Sequence, residues 1–181
     1  MLTALDGREA WELVCSNNNV DFIVSDIVMP VMDGITLCRK IKNNVKTSHI
    51  PVVLLTANGK DEDRSYGMDA GAEAYMTKPF DFDSLKQRID KYLAWRETNH
   101  KNFSDKAEIS PSDLVNTPLD KQLLLKVIEA VDEHIDDFSF SEDDLSNAIG
   151  MDYRTLYNKL MIITGKTPAE FIRIIREKRG R

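Results

Sequence analysis

A chain of 181 residues, 42% of them hydrophobic and 30% charged, can hold one large domain or two small ones. No apolar run approaches the length of a membrane span and no signal-peptide pattern is visible, so the reading expects a cytoplasmic protein without membrane contact. A net charge of −6 argues against non-specific coating of nucleic acid by the whole chain, but leaves room for a local basic face.

In chain order, the first half alternates β-rich runs with amphipathic stretches. Asp21–Ser25 and Pro51–Thr56 read as buried strands, and Glu73–Thr77 as a shorter one. Ile35, Leu37, Cys38 and Ile41 carry helical spacing, as do Tyr66, Met68 and Ala70, and then Leu85, Ile89, Tyr92 and Leu93. Strands alternating with helices imply βαβ units and a parallel sheet. Cys15 and Cys38 fall in helix-like, partly apolar settings and are expected to be buried free thiols. His49, His100 and His134 are scattered without metal-ligand spacing.

After Trp95 the texture changes. Residues 96–118 are polar, poor in β formers and punctuated by Pro111 and Pro118, which is linker composition with a short ordered turn near Pro111. Beyond them only helices are expected: Leu119–His134, Ser141–Ile149, Asp152–Thr164 and Thr167–Lys178. Ser141 with Asp144 suggests a capping box, Gly150 a left-handed residue after a helix, Asp152 an N-cap, and Pro168 a first helical position.

The chemistry concentrates where strands end. An apolar run, Phe22-Ile23-Val24, leads into Asp26 and a Met-Pro turn. Thr56-Ala57 ends the next strand, and Lys78 stands before Pro79. In a parallel sheet these ends share one crevice, where open α/β folds place their ligands. A carboxylate there can accept a phosphoryl group, while a hydroxyl and an ammonium bind its oxygens.

These motifs, strand-Asp with Met-Pro and Asp-Gly, then strand-Thr-Ala, then Lys-Pro-Phe, resemble those of response-regulator receiver domains over residues 1–95. The resemblance implies an α/β flavodoxin-like fold with Asp26 as phosphoacceptor, Thr56 as switch hydroxyl and Lys78 as phosphate-pairing cation. It implies a cis peptide before Pro79, and Tyr75 as the aromatic whose rotamer follows Thr56. Mg²⁺ would be held by Asp26 and the Val28 backbone carbonyl. The family's first strand, its acidic pair and the helix after it have no counterpart here; the chain opens at the end of the second strand. The expectation is therefore an incomplete parallel sheet and weak or lost Mg²⁺ binding, with Asp6 in a turn and Glu9 on a helix surface.

The stretch from Phe140 to Leu160 has a helix-turn-helix layout broken at Gly150. Leu156, Leu160 and Ile163 would face the core, leaving Arg154, Tyr157 and Asn158 on the opposite face, where they suit base-edge contacts. Tyr153, Thr155, Lys159 and Lys166 are candidate phosphate contacts. With Thr-Gly-Lys-Thr-Pro-Ala-Glu-Phe-Ile-Arg following, residues 119–181 resemble a small all-α AraC/XylS-type DNA-binding domain. Only the first helix-turn-helix and the connecting helix have counterparts, so weak and salt-sensitive DNA binding is expected. The basic end of that helix, Arg173, Arg176, Lys178, Arg179 and Arg181, reads as exposed helix.

Receiver, linker and AraC-type module in this order resemble the C-terminal part of a hybrid two-component sensor; a stand-alone regulator is the alternative parent. Implied partners are double-stranded DNA, a histidine kinase or its phosphohistidine domain, and a second copy through the receiver. The chain itself would be no enzyme. A different class of reading is an interaction module using helix 61–70, strand 73–77 and helix 81–95. A third, an Asp-nucleophile phosphohydrolase, would need a second acid two residues after Asp26, where Val28 stands.

Overall fold

Asp6, an acid followed by glycine, opens the first helix by capping it: its carboxylate accepts from the Arg8 and Glu9 amides. The computed structural model describes residues 1–17, 20–57, 68–105 and 110–180. The chain divides into two units, Met1–Asp90 and Lys91–Arg181.

The first unit runs α1 (Gly7–Ser16), β1 (Ile23–Asp26), α2 (Gly34–Lys42), β2 (Val52–Thr56), β3 (Ala74–Thr77) and the start of α3 (Phe82–Asp105). The strands form a parallel sheet in the order β1-β2-β3, with Asp26 beside Leu55 and Thr56 beside Thr77. Every residue of β2 is buried, the mark of a parallel strand covered on both faces. Its alternating side chains split accordingly. Val52 and Leu54 join Val14, Leu37, Cys38 and Ile41 in one cluster; Val53 and Leu55 join Ala74, Met76 and Leu85 in another. The expected α/β parallel architecture is thus present. Of the helical spacing read at Tyr66, Met68 and Ala70, Tyr66 lies outside the described residues, Met68 is exposed and Ala70 is buried.

One tie at the amino ends of the strands carried no sequence signal. Lys42, at the end of α2, is buried, donates to the Ile50 carbonyl and pairs with Glu73. The other Glu73 oxygen accepts the Val52 amide at the head of β2. Cys15, expected buried, is exposed: Val14 takes the inward position of that turn, and the next residue falls about 100° round the helix. Cys38 is buried as expected.

The second unit contains the end of α3, then α4 (Pro111–Leu114), α5 (Pro118–Glu133), α6 (Glu142–Ile149), α7 (Tyr153–Thr164) and α8 (Pro168–Arg179). The four long helices fall where the sequence placed them. The Ser141/Asp144 capping box, the left-handed Gly150, the Asp152 cap and Pro168 at a first helical position are all present.

The expected linker is a correction in its first part: residues 96–105 continue α3. The cause is burial. Phe103 is 2% exposed and stacks on Phe171 with ring centroids 5.1 Å apart, and Asn99, one helical turn earlier, is buried as well. His100 Nε2 lies 2.8 Å from the Ile162 carbonyl oxygen, and Lys178 donates to the Phe103 carbonyl. Tyr92, Trp95, Asn99 and Phe103 keep a helical spacing that the polar composition around them masks. Among the described residues, no helix is long and apolar enough to cross a membrane.

Candidate functional site

Asp26 is the last residue of β1, and Lys78 follows the last residue of β3. The strands are parallel, so both side chains emerge at the carboxyl edge of the sheet, where Lys78 Nζ stands 2.6 Å from Asp26 Oδ1. Each side chain is 42% exposed, which leaves the pair open to a ligand from solvent. The Lys78–Pro79 peptide is cis, and the Lys78 amide donates to the Thr56 carbonyl at 2.7 Å. Thr56, ending the central strand, lies between the two at the same edge and is buried.

The loop after Asp26 is held from several sides. The Ile27 amide donates to Leu55, the Gly34 amide returns to the Ile27 carbonyl, and the Gly7 amide reaches Met32. Asp33 caps α2 by accepting the Thr36 amide. At the tip Val31 has φ of 64°, a left-handed conformation that costs a β-branched residue on the order of 1–3 kcal/mol. Val28, two residues after Asp26 in this loop, is exposed. Tyr75 packs against the α2 side of the core while its hydroxyl is buried with no hydrogen-bond partner among the described residues.

Residues 1–90 match the response regulator receiver domain family. The chain belongs to that family. Among curated relatives it is 38% identical to histidine kinase P4 of Formosa agariphila over 180 residues, which is 99% of this chain and 13% of that protein. It is also 38% identical over 132 residues to the probable transcriptional regulator ycf29 of Porphyra purpurea, 71% of this chain and 62% of that one. The chain therefore spans less than two thirds of the length of these relatives. The receiver-domain structure of Francisella response regulator 1452 shares 35% identity across 51% of this chain and 74% of that one, with a TM-score of 0.47.

Receiver domains bind Mg²⁺ at this crevice, and the donors described here do not by themselves make such a site. One Asp26 oxygen is engaged by Lys78, and among the described residues no group of three or more His, Cys, Asp or Glu side chains could hold a metal ion. Asp6 caps α1, and Glu9 accepts the Leu5 amide. Mg²⁺ demands near-octahedral oxygen ligation, which Asp26 and one carbonyl leave mostly to water.

The second candidate surface is on α7. Leu156, Leu160 and Ile163 are buried, and Arg154 is exposed on the opposite side with Tyr157 and Asn158 partly so. Tyr153 is exposed, with its ring 6.1 Å from that of Tyr157. Thr155 and Lys166 are partly exposed. Lys159, expected to meet phosphate, is a correction: it is 1% exposed, and its Nζ lies 2.6 Å from Asp120 Oδ1. On a helix, the residue after Asn158 turns about 100° toward the core, and a buried carboxylate awaits it there.

The basic end of α8 is largely engaged within its own unit. Arg176 donates to the His134 and Asp137 carbonyls, Lys178 to the Phe103 carbonyl, and Arg179 pairs with Asp132 at 3.0 Å. Arg173 is exposed, with Glu177 3.8 Å away. Arg181 lies outside the described residues.

Proposed function

We propose that this chain is the receiving and DNA-reading portion of a two-component phosphorelay. The observation that carries the proposal is the meeting of Asp26 and Lys78 at 2.6 Å across convergent strand ends. In this reading an Asp26 oxygen attacks the phosphorus of a phosphohistidine on a kinase or phosphotransfer domain. The new O–P bond forms as the N–P bond breaks, and the imidazole leaves with the electron pair. Lys78 shifts from the carboxylate to the phosphoryl oxygens and offsets their added charge. Thr56 is the hydroxyl that turns to the phosphoryl group, and Tyr75 follows into the space vacated.

The helix pair α6–α7 would act as a helix-turn-helix of AraC/XylS type on double-stranded DNA. Arg154, Tyr157 and Asn158 would meet base edges, and Tyr153, Thr155 and Lys166 the backbone. Match to the named histidine kinase over nearly the whole chain favours a hybrid sensor as parent, in the cytoplasm, with receiver pairing between copies.

Fluorescence anisotropy against duplexes selected from a randomised library tests the DNA half. Binding should be weak and steeply salt-dependent, and Arg154→Ala should lower affinity for the selected duplex about tenfold, the scale of one lost base contact. Affinity of the variant for the selected duplex equal to that of wild type would remove α7 as the reading helix.

A further inference from the structure

Asp120 and Lys159 are the most deeply buried ion pair described, with side chains 3% and 2% exposed. Each end is fixed. Asp120 sits in the first turn of α5, and its second oxygen accepts the Thr117 hydroxyl at 2.7 Å. Thr117 in turn caps α5 by accepting the Asp120 amide. Lys159 lies on α7 between Leu156 and Leu160, both buried, and directly follows Asn158.

Burying two charges is expensive, and an apolar pair of the same volume often serves a core as well or better. Stability alone is therefore a poor account of this pair. What apolar contact cannot supply is direction. Leucine and isoleucine side chains allow a helix to roll on its neighbour, whereas an ammonium bonded to a tethered carboxylate admits one narrow geometry.

We propose that Asp120, held by Thr117, acts through Lys159 as the positioning residue that fixes the rotation of α7 about its own axis. It thereby decides which side chains a duplex meets. The inference rests on the DNA-reading proposal above. A roll of about 20° moves a side-chain end at the outer surface of the helix, roughly 5–6 Å from its axis, by about 2 Å, enough to break a base-edge hydrogen bond. A phosphate contact made through a long flexible side chain survives such a shift. The pair therefore governs selectivity and leaves non-specific affinity alone.

The test uses the full chain as wild type, as Arg154→Ala, and as the double variant Asp120→Leu with Lys159→Met. Wild-type protein selects duplexes from a randomised library, and each protein is then titrated with an enriched duplex and a scrambled one at the same salt. The double variant removes one charge of each sign, so net charge is unchanged. The expected result is a melting temperature no lower than wild type, unchanged affinity for the scrambled duplex, and about a tenfold loss of preference for the enriched one.

Full preference in a folded double variant overturns the positioning role while the DNA reading stands. Failure of wild type to enrich any duplex overturns both. If circular dichroism shows the double variant unfolded, Asp120→Glu gives the same reading, since it keeps both charges and lengthens the tie by one methylene. Lost preference with scrambled affinity held supports the role, and unaltered preference removes it.

Discussion

Replacing Gly34 by alanine measures how closely α2 is docked on the strand that carries Asp26. A Cβ on Gly34 would overlap the Asp26 carbonyl oxygen and stand 3.0 Å from both its carbonyl carbon and Ser25 Oγ. That carbonyl oxygen already accepts the Ser25 hydroxyl, and the Gly34 amide is bonded to Ile27 at 2.9 Å, so neither side can retreat without losing a hydrogen bond. Inserting a methyl into a packed site costs about 1–3 kcal/mol, and an obstacle made of backbone puts this case at the upper end. Alanine returns at most about 1 kcal/mol in helix propensity, less in a first turn. The net loss is about 2 kcal/mol, or roughly thirtyfold in the opening equilibrium of the first unit. Hydrogen exchange followed by mass spectrometry reads it: peptides from β1 and β2 should lose protection by that factor, while peptides from α5 serve as the internal reference. Wild-type protection in β1 and β2 would refute the docking argument. Equal loss in α5 would show that the effect is not local to the Asp26 strand.

Two further outcomes are expected. Burial pushes the Cys38 thiol up to about 11, outweighing the opposing pull of Lys42, so the neutral thiol persists until the pH rises well past the ordinary cysteine range. At pH near 8, iodoacetamide should label exposed Cys15 and spare Cys38 until denaturant is added; equal labelling rates in the native chain would contradict the burial. Phe103→Ala should destabilise the second unit by about 3 kcal/mol through loss of its packing on Phe171, seen as faster exchange in α7 and α8. Unchanged exchange would return residues 96–105 to the status of a linker.

The sequence was most legible where chemistry is local. Capping residues, Gly150 and Pro168 act on their own helix ends, so Ser141, Asp144 and Asp152 could be assigned from spacing alone. The strand-end residues were legible for a topological reason. Once the strands are parallel, Asp26, Thr56 and Lys78 share an edge, whatever the details of packing. Cys15 was misplaced because one position on a short amphipathic helix decides between core and solvent.

By itself, then, the sequence determined two architectures, the carboxyl edge that gathers Asp26 and Lys78, and the outward face of α7. Tertiary structure alone decided the fates of Lys159 and Phe103. Both are long-range outcomes: a lysine reads as solvent-facing until a carboxylate 39 residues away is folded against it. A polar stretch likewise reads as linker until one aromatic finds its stacking partner. Burial of either group is stabilised only by residues distant in the chain, and periodicity within the local segment carries no record of them.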